Sequence, residues 1–427
     1  MSDVGVISLG CSKNRVDTER MLGILENAGH RIVTEPAKAE VLIVNTCGFI
    51  EPAKQESINT ILEMAAYKKK GRCNTLIVTG CLSERYRKDL TEGLPEVDHF
   101  LGVHEYETLP ELLPKCAVCA PRAGRKLTTP FYSAYLRVAD GCDNRCTYCA
   151  IPLIRGRLRS VPMPQLIDEA KGLVDTGVTE LTIIAQDTSG YGADLYGKPM
   201  LLELMEELTK LPALKWLRVL YTYPDTVTKE LIAGIAGNEK ICNYLDIPLQ
   251  HIDDTMLKRM HRRGTRAHIE SVLSYIRAYA PDFMLRTTMM VGFPGETGAE
   301  FEAMLAFLRE YQFDRLGAFA FSPEENTAAA SMPGQVPEEV KRLRLDALMK
   351  QQKKISRARN EARVGRTVQV LLETTRDGVT YGRSYAEAPE VDGAILLPAK
   401  PRHRPGTYVN ARLTKALEYD MYGEELP

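Results

Sequence analysis

Three apolar runs near the start of this 427-residue chain each lead into a cysteine, and that repeat restricts the fold more than any other feature. The runs cover residues 4–9, 41–45 and 75–79, and Cys11, Cys47 and Cys81 follow them. Continuous apolar runs of this length are typical of parallel strands buried on both faces. Helical patterns at 14–28 and 52–68 lie between them, so the order predicts a doubly wound parallel sheet in an α/β chain. Parallel strands bring their carboxyl ends to one edge, where such sheets bind ligands. Cysteines 36 and 34 positions apart should therefore meet in space. Each has a glycine beside it, Gly10, Gly48 and Gly80. Cys73 precedes its strand, belongs at the opposite edge, and is excluded. Three converging thiolates can hold an iron–sulfur cubane and leave one iron without a protein ligand.

A second set lies in one loop. Cys142, Cys146 and Cys149 are spaced C-x3-C-x2-C. Again three thiolates face four irons, and an open metal position is what a catalytic site keeps. A zinc knuckle or a reduced cysteine cluster would share the spacing. Cys116 and Cys119 form a C-x2-C pair in a proline-punctuated linker with no further ligands nearby, so they are left out, as is Cys242. The chain opens without a basic segment followed by an apolar run, and no apolar stretch approaches the length of a membrane span. Ten cysteines in such a chain read as metal ligands and bystanders of a cytoplasmic protein, not as a disulfide framework. With 55 Lys and Arg against 56 Asp and Glu, the surface as a whole is not built for nucleic acid.

Six further strand patterns, at 134–139, 180–185, 216–221, 244–248, 285–291 and 316–321, alternate with helical ones. They predict a partial, open (β/α)6 TIM-like barrel with its chemistry at the carboxyl ends of the strands. The Cys142 loop follows the first strand, Gln186 and Asp187 the second, Gln250 and His251 the fourth, and Gly292 and Phe293 the fifth. Arg155, Arg157 and Arg159 follow the cysteine loop and suggest a positive patch for a carboxylate. Short β patterns at 367–373, 394–397 and 408–413 predict a small antiparallel barrel. From Arg357 to the end there are 11 Lys and Arg against 10 Asp and Glu, little support for a phosphate-backbone binder. The expected divisions are 1–105, a linker at 106–130, 131–357 and 358–427.

The Cys142 loop, with Tyr148 before its last cysteine, resembles the cluster loop of the radical S-adenosylmethionine (SAM) enzymes. That resemblance implies that Cys142, Cys146 and Cys149 hold a catalytic cluster whose open iron chelates SAM. It also implies that Tyr148, Gln186, Asp187, Gln250, Gly292 and Phe293 contact the cofactor, with Gln186 and Asp187 accepting from the SAM amine. The stretches 8–14, 45–50 and 80–82 resemble the N-terminal domain of the methylthiotransferase family, and the C-terminal barrel resembles its TRAM domain. Within that family, Cys11-Ser12-Lys13-Asn14-Arg15-Val16-Asp17 and the stretch 382–393 resemble the RimO branch, which modifies an aspartate of ribosomal protein S-twelve. Tyr385-Ala386-Glu387 departs slightly, standing where that branch commonly has an aspartate. The sister MiaB branch acts on isopentenylated adenosine in tRNA and typically has Gly-Cys-Gln-Met-Asn at the first cysteine.

Together these likenesses imply two 4Fe-4S clusters, one on Cys11, Cys47 and Cys81, the other on Cys142, Cys146 and Cys149. They imply SAM, ribosomal protein S-twelve as substrate (free or in the small subunit), a flavodoxin or ferredoxin reductant, a sulfur carrier, and no membrane. Two alternatives stand beside this reading: a tRNA methylthiotransferase, and a non-catalytic iron–sulfur protein that binds RNA or carries electrons. An electron carrier would favour four thiolates and closed clusters. Iron analysis checks the expectation. Reconstituted protein should hold about eight irons, and replacing Cys142, Cys146 and Cys149 by Ala should leave about half. Unchanged iron in that variant would overturn the ligand set.

Overall fold

The computed structural model describes residues 1–114 and 124–427. Its first unit is a five-stranded sheet made of β1 (Asp3–Ser8), β2 (Arg31–Val33), β3 (Val41–Thr46), β4 (Thr75–Gly80) and β5 (His99–Phe100). The order is β2-β1-β3-β4-β5, and every pairing is parallel. β3 is buried along its whole length, which is why it reads as an unbroken apolar run. The short edge strands β2 and β5 have no such run and were not among the three expected. Register sets the cysteines level: Ser8 lies opposite Asn45, and Asn45 opposite Thr79.

The second unit is the expected open barrel. Its six main strands are β6 (Ser133–Arg137), then β9 (Glu180–Ile184), β10 (Trp216–Val219), β11 (Tyr244–Asp246), β12 (Met284–Val291) and β13 (Arg315–Ala320). Between the first two, β7 (Ala139–Asp140) and β8 (Arg159–Ser160) form a short antiparallel pair that closes the base of the cysteine loop. The main strands pair in parallel as β10-β9-β6 and β11-β12-β13, and a bridge between Leu217 and Ile241 joins the two sets. Six strands do not close on themselves. The helix Ser12–Asn27 packs against β6 at one open edge, and the helix Glu338–Glu361 against β13 at the other. The core between strands and helices is aliphatic, with Leu136, Leu181, Leu217, Leu245 and Leu285 buried together. Among the described residues no helix is long and apolar enough to cross a membrane.

The third unit is a closed barrel of β14 (Thr367–Arg376), β15 (Val379–Arg383), β16 (Ile395–Pro398), β17 (Tyr408–Ala416) and β18 (Met421–Glu425). Four of its seams are antiparallel, and β16 with β18 closes it in parallel. It docks on the amino ends of β9 and β10, away from the cysteine loop. Glu180, fully buried, accepts from Arg383 at 2.9 and 2.7 Å and from Ser133 at 2.9 Å. Glu387 in turn accepts from Arg363 at 2.7 Å and Arg315 at 3.1 Å. Trp216 meets Tyr408 edge to face at 5.0 Å.

Burial alone would raise both carboxyls, but the guanidinium charges outweigh it and hold Glu180 and Glu387 at about 2. Depressed carboxyl values give stability that is full above the ordinary 4.5 and lost as pH falls through about 2. Acidification across that window should therefore loosen the C-terminal barrel first, read by limited proteolysis. At neutral pH, Arg383→Met leaves Glu180 buried without its main partner and should cost about 3–5 kcal/mol in denaturant unfolding. A variant as stable as the parent would refute this.

Candidate active site

Each cysteine of the first triad is fixed by the end of its strand. Cys11 caps the helix Ser12–Asn27. The Cys47 amide donates to Ser57 Oγ at 3.0 Å, and Ser57 Oγ returns a bond to the Cys47 carbonyl. Cys81 begins the helix Cys81–Gly93 directly after β4. Two of the neighbouring glycines mark close approaches. A Cβ on Gly10, where φ is +88°, would lie 2.9 Å from Cys47 Cβ, and one on Gly48 would lie 2.6 Å from Leu82 Cα. The backbones beside the three cysteines are thus stacked on one another.

The second triad is held by the barrel. Gly141 turns the chain at φ +72°, the Cys142 amide donates to the Gly156 carbonyl at 3.2 Å, and Thr147 donates to the Met260 and Arg259 carbonyls at 3.0 Å. All six cysteines line a single cavity of about 360 Å³. Burial, with a smaller push from the neighbouring thiols of each triad, raises the Cys81 and Cys149 thiols to about 12 and Cys142 to about 11. Buried thiols of this kind stay protonated at neutral pH until a metal takes the proton's place. Among the described residues no three His, Cys, Asp or Glu side chains are set to grip one ion. A cubane asks for something else, a separate iron for each thiolate.

The polar lining suits a cofactor with an amine. Gln186 Nε2 donates to Asp140 at 3.0 Å, which leaves its buried Oε1 without a donor. Gln250 Oε1, from a residue at φ +68°, is buried and equally unpartnered. Both glutamines and Tyr148 line the cavity. The other three expected contacts do not. Asp187 accepts from Asn144 at 2.7 Å, Ser189 at 2.9 Å and Gly190 at 3.1 Å, so it braces the cysteine loop through Asn144. The Gly292 amide donates to Glu296 at 3.0 Å, and Lys341 packs against its α-carbon. Phe293 is buried behind Tyr148, edge to face at 6.4 Å. A second cavity of about 450 Å³ shares Phe49 and Tyr148 with the first and reaches Met290 and Phe321.

The three arginines do not form the carboxylate patch that their alternation suggested. Arg155 is only 2% exposed and donates to Asn14 and Asp17 at 2.8 Å and to Asp140 at 3.0 Å. Its guanidinium also lies 3.8 Å from Cys81 Sγ, so it points into the seam between the triads with its charge already matched. Arg157 is exposed and pairs with Asp143 at 3.0 Å, and Arg159 contacts His104. Cys73 and Cys242 are buried in other apolar clusters, while Cys116 and Cys119 lie outside the described residues.

Several cavity residues had no separate signal in the sequence. Lys13 and Asn14 stood inside a family-like stretch without a role of their own. Arg262 is far along the chain from the cysteine loop, yet it donates to Tyr148 Oη at 3.2 Å and its guanidinium lies 4.2 Å from the Tyr223 ring centre. Thiol reactivity tests the geometry without any metal. Among the six cysteines of the cavity, in the metal-free chain at pH 8, iodoacetamide should modify exposed Cys11 ahead of buried Cys81, read by mass spectrometry. Early modification of Cys81 would contradict the burial described here.

Residues 3–102 match the model described as Uncharacterized protein family UPF0004, residues 136–308 the Radical SAM superfamily, and residues 364–425 the TRAM domain. The ribosomal protein uS12 methylthiotransferase RimO of Thermoanaerobacter sp. (strain X514) is 48% identical, over 99% of this chain and 100% of the relative. The protein of the same name from Clostridioides difficile (strain 630) is 44% identical, over 100% and 99%. Among solved structures, the radical S-adenosylmethionine methyltransferase TsrM from Kitasatospora setae superposes with a TM-score of 0.55 at 13% identity, covering 77% of this chain and 74% of that one. The cobalamin-dependent radical enzyme OxsB gives 0.51 at 13% identity, covering 83% and 56%. At such identities the likeness is one of fold.

Proposed function

The chain belongs to the RimO family of ribosomal protein uS12 methylthiotransferases, and we propose that its two cysteine triads act together on one aspartate of that ribosomal protein. It is a radical SAM enzyme that transfers methylthio groups and works with an iron–sulfur cluster and SAM. The finer reading adds a second 4Fe-4S cluster on Cys11, Cys47 and Cys81, a product substituted at the aspartate β-carbon, an external reductant, and a sulfur carrier. One observation carries it: the six thiols face a single cavity instead of two. The donor set fits the groups required. Among the described residues each triad offers three thiols and no fourth, and two unpartnered glutamine oxygens wait for donors in the same space.

The β-carbon of an aspartate is an unactivated C–H that acid–base groups cannot engage at neutral pH. Cys142, Cys146 and Cys149 would hold a cluster that, with SAM, would supply the radical chemistry such a C–H needs, and Cys11, Cys47 and Cys81 would hold one that would supply the sulfur. The protein's part is to bind, orient and keep water out. Asp140 fixes Gln186 from its amide end, so the carbonyl oxygen faces the cavity and is set to receive the SAM amine. Gln250 presents a second acceptor from the end of the next sheet segment. Phe49, Tyr148, Ile151, Ile154 and Pro248 give the cavity apolar walls that exclude water from a reactive intermediate.

Product analysis separates the two triads. With Cys11, Cys47 and Cys81 replaced by Ala, the enzyme should still release 5′-deoxyadenosine from SAM under reduction while ribosomal protein uS12 gains no methylthio group. With Cys142, Cys146 and Cys149 replaced, both products should be lost. A methylthiolated aspartate from the first variant would mean that the sulfur comes from elsewhere. Methylthiolation of isopentenylated tRNA in place of the protein by the unaltered enzyme would move the chain to the sister activity.

A further inference from the structure

The cavity shared by the two triads contains a buried cation that the protein does not neutralise. Lys13 is only 7% exposed and lines that cavity. Among the described residues no carboxylate lies within ion-pair reach of its ammonium, and no acceptor takes a hydrogen bond from it. The ammonium sits over the face of Tyr221, whose ring centre lies 2.9 Å from Nζ. Tyr221 holds φ +64° just after β10, so the barrel offers an aromatic seat to a lysine of the N-terminal unit. The other cations around the cavity are engaged. Arg155 is matched by Asp17 and Asp140, and Arg262 donates to the Pro248 carbonyl and to Tyr148 on the barrel side.

A buried charge without a counter-charge is costly, and an aromatic face compensates only in part. Such a group persists where a ligand completes it. The structure assigns Lys13 as the residue that binds the side-chain carboxylate of the substrate aspartate, an assignment that rests on the function proposed above. A carboxylate held there lies in the cavity that both triads line, and its ion pair selects Asp over an uncharged side chain of the same size. The SAM carboxylate has the same chemistry. Lys13, however, is two residues from Cys11, in the unit that carries the first triad, whereas Gln186 and Gln250 belong to the barrel that carries the second.

The test compares binding of ribosomal protein uS12, with its target aspartate intact or changed to Asn, to iron-loaded enzyme under anaerobic conditions. The unaltered enzyme should prefer the Asp form by roughly tenfold to a hundredfold, the range of a charge-assisted hydrogen bond. Lys13→Met, which keeps length and removes charge, should abolish that preference, and Lys13→Arg should retain part of it. SAM affinity and iron content should be unchanged in both variants. An Asp preference that survives in Lys13→Met overturns the assignment. So does a fall in SAM affinity with the Asp preference intact, which gives the ammonium to the cofactor. If the unaltered enzyme binds neither form and modifies another substrate, the proposed function fails and the assignment fails with it.

Discussion

Everything at the centre of this protein depends on one buried ionic network at the seam of its first two units. Asp17 lies on the helix that Cys11 caps, and Arg155 caps the C-terminal end of the short helix Ile151–Ile154 that follows Cys149. Arg155 bridges Asp17 and Asp140, and Arg137 from β6 meets both aspartates from the other side. Each triad's own element is thereby tied to the element that carries the other. Two guanidinium groups and two carboxylates balance in charge, which is how four ionised groups tolerate burial. Well-packed apolar side chains in their place would hold the units together about as well, since desolvation offsets most of what such pairs contribute. An apolar seam would not fix register. Directional bonds at 2.8 and 3.0 Å do, and a shared cavity needs the two loops set to within a fraction of an ångström.

The open barrel explains why that seam exists. Six strands leave β6 and β13 as edges, and an uncovered edge exposes unpaired backbone. The N-terminal unit covers the β6 side with the helix that begins at Cys11. The same helix therefore seals the barrel and presents the first triad at its mouth. Asp140 links the two tasks again, since one carboxylate holds Arg155 from the seam and Gln186 from the cavity wall. At the far end, Glu180 and Glu387 fix the C-terminal barrel with a separate set of arginines. That unit still reaches the seam through Glu390, which meets Arg15 and accepts from Tyr135 at 3.0 Å.

The sequence made the order of elements and the six convergent cysteines legible, because both follow from short-range pattern. Apolar runs mark buried strands, and the carboxyl ends of parallel strands must share an edge. The residues it misread are those whose role is set across long gaps in the chain. Arg155, Arg157 and Arg159 alternate as a charged surface would, yet Arg155 turns inward because Asp17 waits for it from another unit. Asp187 looks like an acceptor for a ligand, but Asn144, Ser189 and Gly190 already occupy its oxygens. Lys13 belonged to a stretch that separates two branches of a family, and only its burial beside Tyr221 gives that stretch a chemical meaning.

The two triads also differ in what must happen before each can hold iron. Cys142, Cys146 and Cys149 lie within one loop, so their thiolates are neighbours in the chain whatever the rest of it does. Cys11, Cys47 and Cys81 meet only when β1, β3 and β4 are paired in the observed register. A cluster held at the first triad would therefore be linked to folding of the sheet, in the sense that affinity for it and stability of the fold would share one free energy. The glycine contacts press the point further. Gly10 lies against Cys47, and Gly48 against Leu82, so a slip of one residue between strands would separate the thiols and drive side chains into backbone. A metal on these three cysteines would thus select one register of the sheet, the register that seats Lys13 and Asp17 against the barrel.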